Sequence, residues 1–500
     1  MKRIFYLSVS TALLMILSVT DISAQRQNRQ NSPEGHELVF NVKDAQDSMV
    51  YLAIHFRDKL LLKDSTKAAA PGRYIFKGDE RYDDGLYMLV SQTRIPYLNF
   101  ILDRNQHFQY NLDTTGNVHH FSAVNSPENS EMLSFQKKTT EAQQLAQTYN
   151  AKRREFESKG QKDSVQYYVA KMRSLNEEMN LFINALIERN PDYLFSKMQK
   201  AYQPVHVPDP PVLANGSIDS NFQAAYYFTH YWDHVDLNDN RFLYLPVFES
   251  MFNDYFKKNM FYQETDTIIK YVDLFLSKVE HDSLMYRYCL ERVTYEFESS
   301  KMLGHDAVFV HIAKNNQLNN KATWLDESII RKYRKRVDNL EPLLIGKPAV
   351  ELIIADTTGN VWHSSHQLPS KYVVLWFYDP ECQTCKRESA KLKVMYDSLT
   401  RTGSRNFEIY GIGNDTDTER WIRYVRNNKF PWINVGGNVA NVDYLTAYNI
   451  HETGNPSMFI LDEKRNIILN RRIDVNKIPE FLQQHEKIQE LKKKREKARP

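Results

Sequence analysis

Two cysteines in the order Cys382-Gln383-Thr384-Cys385 stand between the run Lys371–Phe377 and an amphipathic stretch with Cys385, Glu388, Leu392, Met395 and Leu399 on one face. No other feature constrains the fold as much. A continuous apolar run is fit for a central strand, buried on both sides. The turn Tyr378-Asp379-Pro380-Glu381 then delivers Cys382 to the start of a helix. Unpaired backbone N–H groups and the helix dipole stabilise a thiolate there. Cys385, in the same helical turn, can reach the first sulfur, which permits a reversible disulfide.

The front of the chain tells where such a pair would work. Lys2 and Arg3 precede the apolar stretch Ile4–Val19, and Ser23-Ala24 supplies small residues before a cut ahead of Gln25. Residues 1–24 therefore read as a secretory signal peptide. Ser8, Ser10, Thr11 and Ser18 dilute the stretch, which argues against a membrane anchor. No Cys follows it, which argues against a lipoprotein signal. The expected location is the periplasm or cell envelope, with the chain soluble after cleavage. Exported proteins use Cys mainly in structural disulfides. Here Cys289, Cys382 and Cys385 are the only three in 500 residues, too few to staple a chain of this size.

That length suggests about three domains. Gln25–Gly35 is a polar leader, and 36–124 reads as a β-rich, sandwich-like module without a catalytic constellation. Leu38, Phe40 and Val42 alternate, and Pro71-Gly72 and Asp83-Asp84-Gly85 mark turns. Ser126-Pro127-Glu128 opens a helical domain over 126–339. Val165, Tyr168, Met172, Leu175, Met179, Phe182 and Leu186 recur at helical spacing. So do Ile268, Tyr271, Val272 and Phe275, then Tyr286, Leu290, Val293 and Phe297, stripes that read as core rather than as a cofactor site. From 344 to 490 strands alternate with helices: strands Val350–Ala355, Lys371–Phe377 and Phe407–Ile412, a helix Thr418–Asn427, a hairpin of Ser457–Leu461 with Ile467–Arg472, and a final helix from Val475. This order predicts an α/β domain on one central sheet. Residues 491–500 form a basic tail. A formal charge of +3 is too small to imply nucleic acid as a partner.

Strand, turn, C-x-x-C and amphipathic helix together resemble the thioredoxin superfamily over residues 344–490. Ile345-Gly346-Lys347-Pro348-Ala349 resembles the segment that opens many members. Gly454-Asn455-Pro456-Ser457 is similar to the loop in which that fold sets a cis proline opposite the cysteines. The likeness implies that Asn455 and Pro456 bind the backbone of a substrate. Cys382-x-x-Cys385-Lys386-x-Glu388 resembles the TlpA/ResA branch of exported thiol-disulfide oxidoreductases, in which the acid helps manage the cysteine protons. Two positions depart from the superfamily pattern. Trp376 stands where cytoplasmic thioredoxins carry a buried Asp, and Glu381 replaces the Trp before the nucleophile. The front domains resemble unassigned modules of envelope proteins, a likeness that supplies no activity.

Other chemistries fit less well. Structural zinc needs four ligands and there is no second Cys pair. Haem attachment needs His where Lys386 stands. A peroxidatic cysteine would have Thr or Ser in place of Asp379. Cys289, between Tyr288 and Leu290, reads as a buried free thiol. His230 and His234, four apart, read as a packed or surface pair, and His363 and His366 as loop residues. Asp236-Leu237-Asn238-Asp239-Asn240 begins like a calcium loop but lacks its Gly and its last Glu. His451 is a loop histidine near the Pro456 segment.

The resulting expectation is a thiol-disulfide oxidoreductase with catalytic Cys382, Cys385 and Glu388, substrate-binding Asn455 and Pro456, and no metal or cofactor beyond a Cys382–Cys385 disulfide. Its partners would be disulfide-containing envelope proteins and a membrane thiol electron donor. The alternative is a non-enzymatic envelope binding protein whose front modules do the work.

Overall fold

Alternation of inward and outward side chains builds the first sheet. In β1 (His36–Lys43), Leu38, Phe40 and Val42 are buried while Val39, Asn41 and Lys43 are not. The following strands are β2 (Met49–Phe56), β3 (Lys59–Ala70), β4 (Arg73–Gly78), β5 (Gly85–Val90), β6 (Pro96–Leu102), β7 (His107–Asp113) and β8 (Ser122–Val124). Their spatial order is β6-β5-β2-β3-β4-β1-β7-β8, antiparallel except for the β1–β7 pair. Inward residues from across this order, among them Phe40, Leu52, Phe76, Phe100 and Tyr110, share one core. Burying a side chain of this size contributes roughly 1.5–3 kcal/mol.

This computed structural model describes residues 35–213 and 216–497. The expected signal peptide, residues 1–24, lies outside them. The chain divides into two units, one built on residues up to 263 together with 270–289, the other from 264–269 and 290 onward. In the first, Pro127 sits in the first turn of α1 (Pro127–Ser158), which forms an antiparallel hairpin with α2 (Lys162–Arg189). The stripe from Val165 to Phe182 is only half-buried, and Leu186 alone in α2 is fully buried. Two helices cover only one face of each other, so an amphipathic stripe there makes a seam, not a domain core. The first unit continues with α3 (Leu194–Ala201), α4 (Phe222–His230) and α5 (Pro246–Phe252); α6 (Thr265–Val279) and α7 (Ser283–Glu298) are divided between the units, and α8 (His305–Asn315) and α9 (Glu327–Leu340) belong to the second. The stripes Ile268, Tyr271, Val272, Phe275 and Tyr286, Leu290, Val293, Phe297 are all buried, as core residues should be.

The second unit is organised by a seven-stranded sheet: β9 (Ile353–Asp356), β10 (Trp362–Ser364), β11 (Tyr372–Tyr378), β12 (Phe407–Gly413), β13 (Ile433–Ala440), β14 (Ser457–Leu461) and β15 (Ile467–Leu469), in the order β10-β9-β13-β12-β11-β14-β15. Every residue of β11 is buried. Its side chains divide with period two, Tyr372, Val374, Trp376 and Tyr378 entering the core on one face and Val373, Leu375 and Phe377 that on the other. β12 runs parallel to β11 and β14 antiparallel to it. The helices are α10 (Gln383–Arg401), α11 (Thr418–Asn428), α12 (Tyr444–Ala447), α13 (Ile450–Thr453) and α14 (Ile478–Lys497).

Several edges differ from the sequence reading. The strand expected from Val350 starts at Ile353, because the preceding segment pairs elsewhere: Gly346 N–H donates to Ile467 O at 2.8 Å and Ala349 N–H to Arg465 O at 3.0 Å. β15 ends at Leu469 rather than Arg472, where Asn470 turns its side chain to Leu343 O at 3.0 Å. The last helix starts at Ile478, after a single 3₁₀ turn over Val475–Lys477.

Candidate active site

The turn after β11 is held by Asp379. Its carboxylate accepts from Glu381 N–H at 2.7 Å and its carbonyl from Cys382 N–H at 3.2 Å. Cys382 is thereby the N-cap of α10, with φ −70° and ψ 116°, and its sulfur accepts the Cys385 N–H at 3.3 Å. A side-chain acceptor at this position satisfies one of the free N–H groups of the first helical turn. Sulfur takes the place of the usual oxygen. Both cysteines are free thiols, Cys382 half-buried and Cys385 buried. Burial pushes the Cys385 thiol up; the Asp379 backbone N–H opposes this, while the neighbouring Cys382 and the Asp379 carboxylate add to it.

The loop before β14 faces the pair. The Asn455–Pro456 peptide is cis, and the Cys382 thiol lies 3.7 Å from Asn455 O. Asn414 braces this loop, donating from Nδ2 to Asn455 Oδ1 at 2.7 Å and from its backbone N–H to Tyr378 O at 2.8 Å. Three chain segments that are far apart in sequence thus meet at Cys382. Beside them Arg420 of α11 grips Asp415 with two bonds, at 2.7 and 2.6 Å, and reaches Glu381 at 3.0 Å.

Glu388 lies one turn beyond Cys385, and its carboxylate accepts from Arg387 Nε and Lys391 Nζ, both at 3.1 Å. Partial burial works to raise its carboxyl, but Lys391 and Arg387 outweigh it and hold Glu388 below the usual carboxylate range.

Residues 370–468 match a family model described as thioredoxin-like. This region is a thioredoxin-like domain. Residues 172–341, ahead of it, match a family described as a domain of unknown function (DUF5106). No curated protein is significantly similar to the chain. Among solved structures, a thioredoxin-like protein from Bacteroides caccae is 18% identical at a TM-score of 0.42, covering 56% of this chain and 99% of that one. A domain of a possible thiol-disulfide isomerase from Cytophaga hutchinsonii is 30% identical at a TM-score of 0.27, covering 30% of this chain and 98% of that one. The thioredoxin domain of a thiol-disulfide oxidoreductase from Bacteroides vulgatus is 26% identical at a TM-score of 0.24, covering 28% of this chain and 96% of that one.

The thioredoxin-like domain brings Cys382, Cys385, Asn455 and Pro456 together, with Glu388 one turn away on the same helix. Three polar residues at this place escape sequence reasoning. Asp379 was legible as a turn residue three before Cys382, but not as a carboxylate acting on Cys385. Ser389 and Tyr424 carry no motif: Ser389 is buried one turn after Cys385 on α10, and Tyr424 packs from α11 against the core that holds Cys385. Other candidates lie elsewhere. Cys289 is fully buried and its thiol is pushed well up by burial. His230 Nδ1 pairs with Asp233 at 2.6 Å, His234 Nδ1 faces Gln203 O at 3.2 Å, and His451 is exposed. No helix among the described residues is long and apolar enough to cross a membrane.

Proposed function

We propose that the protein is an exported thiol-disulfide oxidoreductase that reduces disulfides of envelope proteins, in the manner of the TlpA/ResA branch. The observation that carries this reading is the half-buried Cys382 sulfur at the N-cap of α10, with Cys385 N–H on one side and Asn455 O on the other. A nucleophilic thiol needs access and local N–H donors, and a resolving thiol needs protection from every attacker except its partner. The exposure of the two cysteines differs in that sense.

In the forward direction the Cys382 thiolate attacks one sulfur of a substrate disulfide. A Cys382–substrate bond forms, and the other substrate sulfur leaves as a thiolate. Cys385 gives its proton to Glu388, and its electron pair then forms the bond to Cys382 Sγ as the Cys382–substrate bond breaks. The substrate gains two electrons and the cysteines lose them. A membrane thiol donor returns the pair to the dithiol. Asn455 and Pro456 hold the extended substrate segment beside the sulfur, Asn455 through its backbone. The export signal at residues 1–24 supports the periplasm or envelope as the place of action. Insulin reduction by the full chain, with dithiothreitol as the donor, tests the activity; loss in Cys382→Ser is expected, and equal turnover by that variant contradicts it.

A further inference from the structure

Asn414, outside the expected site residues, is bonded to both of the segments that face each other there. It directly follows β12, which runs parallel to β11. Its backbone N–H donates to Tyr378 O at 2.8 Å, which extends the ladder to the last residue of β11, just before the turn to Cys382. Its side-chain Nδ2 donates to Asn455 Oδ1 at 2.7 Å. The backbone carbonyl of the same Asn455 lies 3.7 Å from the Cys382 sulfur. The strand end that launches the cysteine turn and the loop opposite it are therefore tied to a single amide residue.

The loop has local bonds of its own, and they hold its flanks. Ser457 pairs with Phe377 of β11, Ser457 Oγ donates to Gly454 O at 2.6 Å, and Gly454 N–H donates to Ile450 O at 2.8 Å. Pro456 has no N–H to add. Asn455 stands between these anchors, and its side chain is held from β12 by Asn414. Stability alone does not account for an amide at 414. Asn414 Oδ1 is buried without a hydrogen-bond partner among the described residues, and an unpaired buried acceptor lowers stability. The neighbouring Asp415 is satisfied, by Arg420 and by the Asp417 N–H at 2.8 Å. We propose that Asn414 is a positioning residue for substrate recognition: through the Asn455 side chain it holds the Asn455 backbone where an extended polypeptide beside the disulfide can pair with it. This role rests on the oxidoreductase reading above. It concerns binding and not the thiol chemistry, because the bonds of Asn414 go to Tyr378 and Asn455 and not to either sulfur. The substrate class it favours is a disulfide carried on an extended polypeptide segment, whatever its side chains, over a small disulfide that has no backbone to pair. Small errors of placement in such a contact are enough to weaken it.

The test uses the full chain with dithiothreitol as the donor and two substrates, insulin and hydroxyethyl disulfide, which has no peptide backbone. In Asn414→Ala the KM for insulin is expected to rise by roughly three- to tenfold, the effect of one ordinary hydrogen bond, with kcat within about twofold of wild type. The kcat/KM for hydroxyethyl disulfide should stay within about twofold. Asn455→Ala should raise the insulin KM at least as much, and adding Asn414→Ala to it should raise it no further, because the residue through which Asn414 acts has lost its amide. A general structural effect would slow both substrates alike and persist in the double variant. An unchanged insulin KM in Asn414→Ala, equal loss on the two substrates, or additive effects in the double variant overturns the inference. If Asn414→Ala does not fold, Asn455→Ala, which removes the same bond from the other side, decides by the comparison of the two substrates. A wild-type chain that does not reduce insulin overturns the oxidoreductase reading itself, and this inference with it.

Discussion

The backbone carbonyl of Asn455 lies 3.7 Å from the sulfur of Cys382, although 73 positions separate the two residues. β14 and β11 are antiparallel neighbours, so the loop entering β14 and the turn leaving β11 must share one end of the sheet. In an open α/β sheet, that end of the strands is where binding sites form. The site is thus a product of strand order, with the chemistry carried by what the turns present.

Accessibility should sort the three cysteines. Cys382 is half-buried, whereas Cys385 and Cys289 are fully buried. In the reduced protein, brief iodoacetamide treatment should label Cys382 faster than either of the others by about tenfold or more. Peptide mass mapping checks it, and equal labelling of Cys289 would remove the basis for singling out Cys382.

Glu388→Gln tests the carboxylate one helical turn beyond the buried thiol. Glu388 sits below the usual carboxylate range, held there by Lys391 and Arg387, so it is ionised throughout neutral pH. A relay role predicts that Gln slows resolution of the mixed disulfide by roughly tenfold or more and alters its pH dependence. Superimposable pH profiles would make Glu388 an ion-pair residue of α10 and nothing more.

Arg420→Ala should destabilise the domain in a pH-dependent way. The Asp415 side chain is 1% exposed, and its bonds to Arg420 hold its carboxyl below the usual range despite burial. A depressed carboxylate contributes stability above its unfolded value, about 3.9, and loses that contribution as pH falls through the folded value. The urea midpoint of the variant should therefore fall at pH 7, with the gap to wild type narrowing below about pH 4. A gap independent of pH would exclude the pair as its cause.

Gly413→Ala probes the packing under α11. A Cβ at Gly413 would meet Trp421 Cδ1 and Nε1 at 2.2 Å, and Trp421 is buried with its N–H engaged by Tyr378. The ring has nowhere to go, so a loss of roughly 1–3 kcal/mol in unfolding free energy is expected. Wild-type stability in a urea titration would contradict this account of the seat of α11.

What could be read from the residues follows from how local each signal is. β11 was legible because a strand buried on both faces is apolar throughout. β13 was not: Asn434, Gly436 and Gly437 break the pattern, and the strand exists because β12 and β9 supply partners on both sides, with a register shift between Val435 and Ala440. The Cys pair and Pro456 were legible as short motifs. Tyr424 was not, since a tyrosine on an amphipathic helix looks like any core residue until α11 is laid on the core that holds Cys385. The stripe of α2 misled only in degree, because helical spacing reports a covered face without saying how deeply it is covered.

The most direct test of the account is the redox cycle of the pair itself. The full chain, equilibrated over a series of dithiothreitol couples and trapped by alkylation, should interconvert between two free thiols and one Cys382–Cys385 disulfide, with Cys289 unchanged. The reduced form should cleave the insulin disulfides, and Cys382→Ser should abolish this. A pair that stays oxidised or stays reduced across the whole series, or insulin reduction that survives Cys382→Ser, would contradict the assignment of Cys382 and Cys385 as the working centre.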